Sequence, residues 1–366
     1  MAGNSLGKIL TLSSFGESHG PAVGGVLDGF PPNIKIDFGF IQSEVNRRKP
    51  GNSFFTTTRS EDDFVRYISG IFDGRSTGAP IAFLITNENQ RPEDYQLYRD
   101  LYRPSHADFT YDAKYGIRDY RGGGRASARE TLVRVVGGAF AKLLLKSNGI
   151  TVSGYVNRIG NVELPDEFRV PAGFNSSDTL TGCPDPETEK KMLDLLSTLK
   201  EEGDTTGGII TCRIVGVPAG LGEPVFDKLQ ADLAKAMLGI NAAKGFEYGS
   251  GFAAASMRGS QHNDPFVMKE GKICTSDNRS GGIQGGISNG EEIFFRVAFK
   301  PVATLMTDQQ TVSRSGESAV MKGKGRHDTC FVPRAVPIVE AMAAFVIADH
   351  LLRYQAYRLL LAQAVK

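Results

Sequence analysis

Tyr111–Lys146 reads YDAKYGIRDYRGGGRASARETLVRVVGGAFAKLLLK, a glycine-arginine loop that runs directly into a helix signal. Gly122, Gly123 and Gly124 lack a Cβ and allow the backbone a positive φ and a close approach to a ligand. Arg121, Arg125 and Arg129 add fixed positive charge. Ser127 and Glu130 have the S-x-x-E spacing of a capping box, and Leu132, Val136, Ala139, Phe140 and Leu143 then recur at helical spacing. The free N–H groups and the positive dipole end of that helix face the loop, which predicts an anion site suited to phosphate. The plainer alternative is a solvated turn. A Walker loop is excluded because no Gly-Lys-Ser/Thr follows, and a dinucleotide fingerprint because GxGxxG after a strand is absent. With a formal charge of +1 and a pI of about 7.7, the chain also lacks the basic excess of a nucleic-acid binder.

The 366 residues suffice for a large core in one domain or two. MAGNSLGKIL carries no basic start followed by an apolar run, and no segment is read as approaching a membrane span. Cys183, Cys212, Cys274 and Cys330 are widely separated, with no CxxC and no Cys/His grouping at zinc spacing. They are therefore read as reduced and structural, no metal is expected, and the cytoplasm follows as the compartment.

Residues 7–30 read as two β-prone runs around a polar turn, GESHG at Gly16–Gly20, so His19 lies in a loop open either to solvent or to a ligand. DFGFIQSEVNRR at Asp37–Arg48 is helix-like and ends in cations, which suit either the helix dipole or an anion. Residues 64–86 predict two strands, and the polar, aromatic tract after them, without periodicity, reads as a functional loop carrying His106. ITVSGYVNRIGNVEL is a predicted strand, ETEKKMLDLLSTLKEEGD an amphipathic helix, and IFFRVAFKP a further strand. A long, largely apolar helix is expected from about Val336. GGVLDGFPPNIKIDFGFIQSEVNR and GGIITCRIVGVPAGLGEPVFDKLQADLAKAMLGI share the order Gly-Gly, strand, Pro-containing turn, helix, which predicts a pseudo-duplication within one unit, since no linker divides the halves.

RGGGRASARET at Arg121–Thr131, followed by Arg134-Val135, GESHG at Gly16–Gly20, RPSHADFTY at Arg103–Tyr111 and GRHDTCFVPRAVPIVEAM at Gly325–Met342 together resemble the chorismate synthase family. The resemblance implies an α/β (α+β) fold, a single large β-α-β sandwich over residues 1–366 with a helical core between its sheets. It implies conversion of 5-enolpyruvylshikimate 3-phosphate to chorismate by a 1,4-elimination of phosphate, the last step of the shikimate pathway, dependent on reduced FMN without net redox change. FMN contacts carry over to Arg125, Ala126, Ser127, Asn241, Ala242, Gly285, Lys300, Pro301, Val302, Ala303, Thr304 and Arg326. Arg48, Arg103 and Arg129 become the residues for substrate or reduced nicotinamide, with arginine's planar fork suited to phosphate and carboxylate. His19 is assigned protonation of the leaving phosphate, His106 the protonation state of the flavin, and Asp328 relay of a proton from its N5 region. A homotetramer is implied, with no nucleic-acid or membrane partner. Whether NADPH reduces the flavin on this chain or an external reductase does so stays open. Two positions depart from the usual pattern: Phe54, where many members have Arg, and Thr329, where Pro is usual.

Overall fold

A computed structural model describes residues 3–49, 53–56, 61–88, 92–323 and 328–364. Period-two burial makes its sheets. IAFLIT at Ile81–Thr86 buries Ile81, Phe83 and Ile85, and IFFRVAF at Ile293–Phe299 buries Ile293, Phe295, Val297 and Phe299, as expected of strands with one face on a core.

The first sheet contains β1 (Ser5–Leu6), β2 (Thr11–Gly16), β3 (Ala22–Asp28), β4 (Arg66–Tyr67) and β5 (Ile81–Thr86), in the spatial order β1-β2-β3-β5-β4. The second contains β6 (Thr151–Ile159), β7 (Val162–Glu163), β8 (Gly208–Val215), β9 (Ala243–Tyr248) and β10 (Ile293–Phe299), in the order β9-β10-β8-β6-β7. All these pairings are antiparallel. The helices are α1 (Phe38–Arg48), α2 (Asp108–Tyr115), α3 (Thr131–Lys146), α4 (Pro186–Glu202), α5 (Leu229–Leu238) and α6 (Val332–Ala364). α3 packs on β2 and β3, α6 packs on β6 and β8, and the two helices pack on each other. The result is the expected sandwich, sheet, helices, sheet. At the crossing the helices nearly touch: a Cβ on Gly138 would lie 2.4 Å from Ala341 Cα, a distance only glycine permits.

The duplication extends further than the sequence comparison indicated. β2, β3, α1, β4, β5, α3 and β6, β8, α5, β9, β10, α6 follow one another in the same ββαββα order. The strand orders also agree, β2-β3-β5-β4 against β6-β8-β10-β9, and each half lays its last helix on its own first two strands.

Where α1, α3 and α6 meet, four buried or nearly buried charges interrupt the apolar core. Arg47 contacts Glu44 at 2.9 Å and Glu340 at 2.6 Å, while Lys142 contacts Glu44 at 2.5 Å and Glu340 at 2.7 Å. Gly154 N of β6 also donates to Glu340 at 2.8 Å. Burial opposes the charge on Glu340, but Lys142 and Arg47 outweigh it and hold the carboxyl down to about 2.

Four expectations need correction. The first predicted strand of residues 64–86 is only the two-residue β4, and Ile71–Phe72 then pairs with Arg75–Ser76 across Asp73-Gly74. Both turn residues have positive φ, 47° and 69°, so Asp-Gly was the hairpin signal. The tract around His106 holds a helix, α2, rather than loop alone. A segment of membrane-spanning length also exists: Val332–Leu359 of α6 is long and apolar enough, but its most apolar 18-residue stretch, of mean hydropathy 1.7, is 94% buried in the protein. It is the central core helix, and its apolarity serves packing on all sides. It also begins earlier than expected, at Val332, with Pro337 tolerated inside it.

Candidate active site

Gly122, Gly123 and Gly124 take φ of 65°, 88° and 54°, the conformation for which the sequence marked them. Their contacts bring the two loop histidines together. A Cβ on Gly122 would fall 2.3 Å from His19 Cε1, and one on Gly123 would fall 2.8 Å from His106 Cε1. The loop thus passes between two imidazoles at a separation that excludes any side chain.

His19 is buried, with Nδ1 sharing a 2.9 Å hydrogen bond with Ser18 Oγ and its ring centroid 4.9 Å from that of Tyr95 in an edge-on arrangement. The GESHG turn that carries it is held by Asn87, whose Nδ2 donates to Glu17 O (2.9 Å) and Gly20 O (2.7 Å). Ser18 N donates to Gly124 O at 3.4 Å, joining this turn to the glycine loop.

His106 follows Ser105, a non-glycine residue at φ 56°. Its Nδ1 lies 3.2 Å from Asp108 Oδ1. Asp108 is itself buried and grips Arg103 twice, Nε and Nη2 each donating at 2.8 Å, while Arg103 N donates at 3.0 Å. Burial would raise the Asp108 pKa, but the hydrogen bonds from Arg103 and His106 and the Arg103 charge hold it well below the usual carboxylate range. Arg103, which also lies over the Tyr98 ring at 5.3 Å, is therefore engaged in holding this corner.

Arg48 and Arg129 flank the start of α3 in different ways. Arg48 is buried and donates from Nε to Thr131 Oγ1 and from Nη2 to Ala128 O, both at 2.8 Å. No carboxylate among the described residues forms an ion pair with it. Burial first, then the nearby Arg334 guanidinium, press its pKa down to about 9. A desolvated guanidinium beside a second one marks a place where an anion is welcome. Arg129 is placed otherwise than the sequence suggested. It donates from Nε to Asn87 Oδ1 at 2.6 Å, from Nη1 to Asp63 Oδ1 at 2.7 Å and from Nη2 to Thr86 O at 3.1 Å, and Nη2 lies 2.7 Å from Glu61 Oε2. In this conformation its donors are committed to two carboxylates and to the Asn87 that holds the His19 turn. The capping box is only half made. Ser127 Oγ accepts from Arg129 N at 3.4 Å and caps a 3₁₀ turn, Ala128–Glu130, ahead of α3, whereas Glu130 turns to Arg134 at 3.0 Å.

The residues assigned to flavin divide into two places. Asn241 Nδ2 donates to Ala126 O at 3.0 Å, Lys300 N donates to Ala242 O at 3.0 Å, and Lys300 Nζ reaches Ser105 O at 3.2 Å. The 125–127 turn, the 241–242 pair and the 300–304 segment therefore meet beside the His106 loop. Pro301, Val302, Ala303 and Thr304 continue from Lys300, with Val302 O accepting from Thr205 Oγ1 at 2.8 Å. Arg125 is drawn toward β2, donating to Gly16 O at 3.1 Å and Ser14 Oγ at 2.7 Å. The arrangement suits a flavin phosphate and ring. Asn241 Oδ1 is buried without a hydrogen-bond partner among the described residues, an acceptor suited to an N–H, and Ala242 holds a positive φ of 68°. Burial and Lys244 lower the Lys300 pKa, so an anion there would be favoured. Gly285 is not brought to this place. Its hairpin abuts the start of α5, where Leu229 N donates to Gly286 O, whereas Asn241 follows the far end of that ten-residue helix, about 15 Å away. Gly285 instead lines a separate open pocket of about 790 Å³ with Phe246, Phe252 and Arg279.

Arg326 lies outside the described residues. Asp328 is buried and accepts from Arg334 Nη1 at 2.6 Å. At Thr329 the departure from proline has a visible use, because its N–H donates to Phe55 O at 2.9 Å, a bond proline cannot make. Phe54, the other departure, is partly exposed with the Lys200 ammonium 5.8 Å from its ring. Sequence reasoning missed Asn87 and Arg334, and gave Asp108 no role, although the latter's place two residues after His106 was a readable signal.

The family model described as chorismate synthase matches residues 10–352. A chorismate synthase from Phocaeicola vulgatus is 57% identical over 95% of this chain and 98% of its own length. One from Cytophaga hutchinsonii is 56% identical over 97% and 99%, and one from Opitutus terrae 51% identical over 96% and 98%. A chorismate synthase crystal structure superposes with a TM-score of 0.75 at 31% identity, covering 95% of this chain and 93% of the other.

Proposed function

The chain belongs to the chorismate synthase family, and from the geometry around its two histidines we propose how its residues carry out that lyase reaction, the loss of phosphate from 5-enolpyruvylshikimate 3-phosphate to give chorismate. The observation that carries the proposal is the placement of His19 and His106 against adjacent glycines of one loop, which leads into the start of α3, where a buried Arg48 has no carboxylate ion-pair partner among the described residues.

Arg48 receives the anionic end of the substrate, because a ligand charge in contact with it offsets a burial that the more distant Asp63 and Glu130 offset only in part. His19, fixed by Ser18, protonates the departing phosphate. His106 holds the proton that balances the negative cofactor, and Asp328, oriented by Arg334, relays a proton away from the N5 region of the flavin. Arg103 and Arg129 support these groups through Asp108 and Asn87. Reduced FMN fits the turn of Arg125–Ser127 with Asn241, Ala242, Lys300 and the segment to Thr304. When bound it supplies electron density for phosphate expulsion and accepts the hydrogen. Asn241 Oδ1 would accept a ring N–H, and Lys300 would meet negative charge. Arg326 joins that set by position in the chain.

The finer assignments are part of the same reading. The two halves, joined through α3 and α6, work as one domain. The chain is a homotetramer in the cytoplasm, which its four free cysteines support, and NADPH is the distal source of electrons, delivered here or through a reductase. Assay of chorismate under anaerobic conditions tests the reading: product should form with reduced FMN and without net flavin oxidation. Turnover with oxidised FMN alone would overturn it.

A further inference from the structure

We propose that Asp108 is a positioning residue for His106, fixing its proton on Nδ1 and leaving Nε2 as the atom that exchanges a proton at the site. The inference rests on the proposed catalytic role of His106. Its ground is the one-sided placement of the ring. Nδ1 lies 3.2 Å from Asp108 Oδ1, while Nε2 faces the glycine loop, 3.1 Å from where a Cβ on Gly123 would stand. An ionised carboxylate only accepts, so the nitrogen facing it must carry the hydrogen.

Asp108 has little freedom to do otherwise. Oδ2 accepts from Arg103 N and Arg103 Nε, Oδ1 accepts from Arg103 Nη2, and Arg118 Nε lies 3.7 Å from Oδ1. Arg118 is itself anchored to the carbonyls of Tyr98, Arg99 and Leu101 and to Asp112. The two arginines keep the carboxylate charged and aimed, and the carboxylate aims the imidazole. The helix α2 begins at Asp108, so the aim is set by regular structure and not by the loop alone. A proton taken up at Nε2 gives an imidazolium stabilised at Nδ1 by Asp108, and its release at Nε2 restores the starting tautomer, so charge and protons balance within the pair.

Asp108→Asn should invert this arrangement. Placing the amide nitrogen at the Oδ2 position would set it against two Arg103 donors, N and Nε, whereas the Oδ1 position opposes it to Nη2 alone, so it settles at the Oδ1 position, facing Nδ1. It then donates to that nitrogen and moves the imidazole proton to Nε2, the wrong tautomer for exchange. The test is ¹⁵N spectroscopy of labelled histidine in the protein without ligands, with the His106 signals assigned by His106→Gln, beside steady-state kinetics. Wild-type His106 should carry its proton on Nδ1. Asp108→Asn should carry it on Nε2, with kcat lowered about 100-fold or more and KM within about threefold. Asp108→Glu, which keeps an acceptor, should recover part of kcat and the Nδ1 proton. A wild-type proton on Nε2 overturns the proposal, and needs no variant to fold. So does an inverted tautomer with full kcat. Absence of chorismate formation by the wild type would instead sink the catalytic reading while leaving the tautomer result intact.

Discussion

Arg129 shows how much a residue's role depends on what lies far off in sequence. Its place in the first turn after the glycine loop suggested an anion receptor, but Glu61, Asp63 and Asn87 close around it. None of these is signalled by spacing from Arg129, because strand pairing, not local pattern, brings β5 to the start of α3. Arg129→Lys should therefore destabilise the protein without ligands by about 2 kcal/mol or more, since a single ammonium cannot satisfy four acceptors in a buried cluster. Thermal denaturation checks this, and an unchanged Tm would return Arg129 to the role of a free anion receptor. The histidines were legible as loop residues flanked by small ones, but their convergence on Gly122 and Gly123 was not. His19→Ala and His106→Ala should each lower kcat by roughly 10- to 1,000-fold with Tm close to wild type. Full activity in either variant removes that residue from the mechanism.

At the scale of elements, α1, the body of α3, β6, β8 and β10 could be read from periodicity because each has a clear inner face. β4 and the Ile71–Arg75 hairpin could not, being too short to show a period, and α2 was hidden among polar and aromatic residues that serve the site. The charge cluster at the meeting of α1, α3 and α6 was equally hidden, since Glu340 sits in an apolar run. Its carboxyl, at about 2 in the folded protein against an ordinary 4.5, gives stability that is fully present above about 4.5 and is lost as pH falls toward 2. Glu340→Gln should remove that part of the acid sensitivity. It should also cost about 3 to 5 kcal/mol at neutral pH, because Arg47 and Lys142 would be left buried with only Glu44. Denaturant melts of both proteins at pH 7 and pH 3, inside that window, measure it. Equal loss of stability on acidification in the two would refute the assignment.

For the whole molecule, the repeat was visible as one weakly matching strand-turn-helix pair, whereas the full ββαββα correspondence needed the sheet orders, which depend on long-range pairing that no local pattern encodes. The halves are not independent. α3 packs on β2, β3 and α1 and, at the close Gly138–Ala341 crossing, on α6, so a fragment of residues 1–149 would expose the apolar surface that α6 covers. Such a fragment should show no cooperative thermal transition and little near-ultraviolet dichroism. A sharp transition would mean that each half is a folding unit.

The repeat also gives the site its layout. The connection from β5 to α3 carries Arg103, His106 and the glycine loop, and the connection from β10 to α6 carries Lys300–Thr304 and Asp328. These occupy the same address in the two halves, and both lead to helices whose beginnings meet at Arg48, through Ala128 and Thr131 on one side and Arg334 on the other. A symmetric scaffold thereby delivers two equivalent loops to one spot. The two loops are also tied to each other, Tyr102 N donating to Val312 O at 3.2 Å and Arg314 N to Asp100 O at 2.8 Å, so a change in one bears on the other. A duplicated unit of this kind offers a route to symmetry breaking, in which two equivalent connections diverge to supply different parts of a single site.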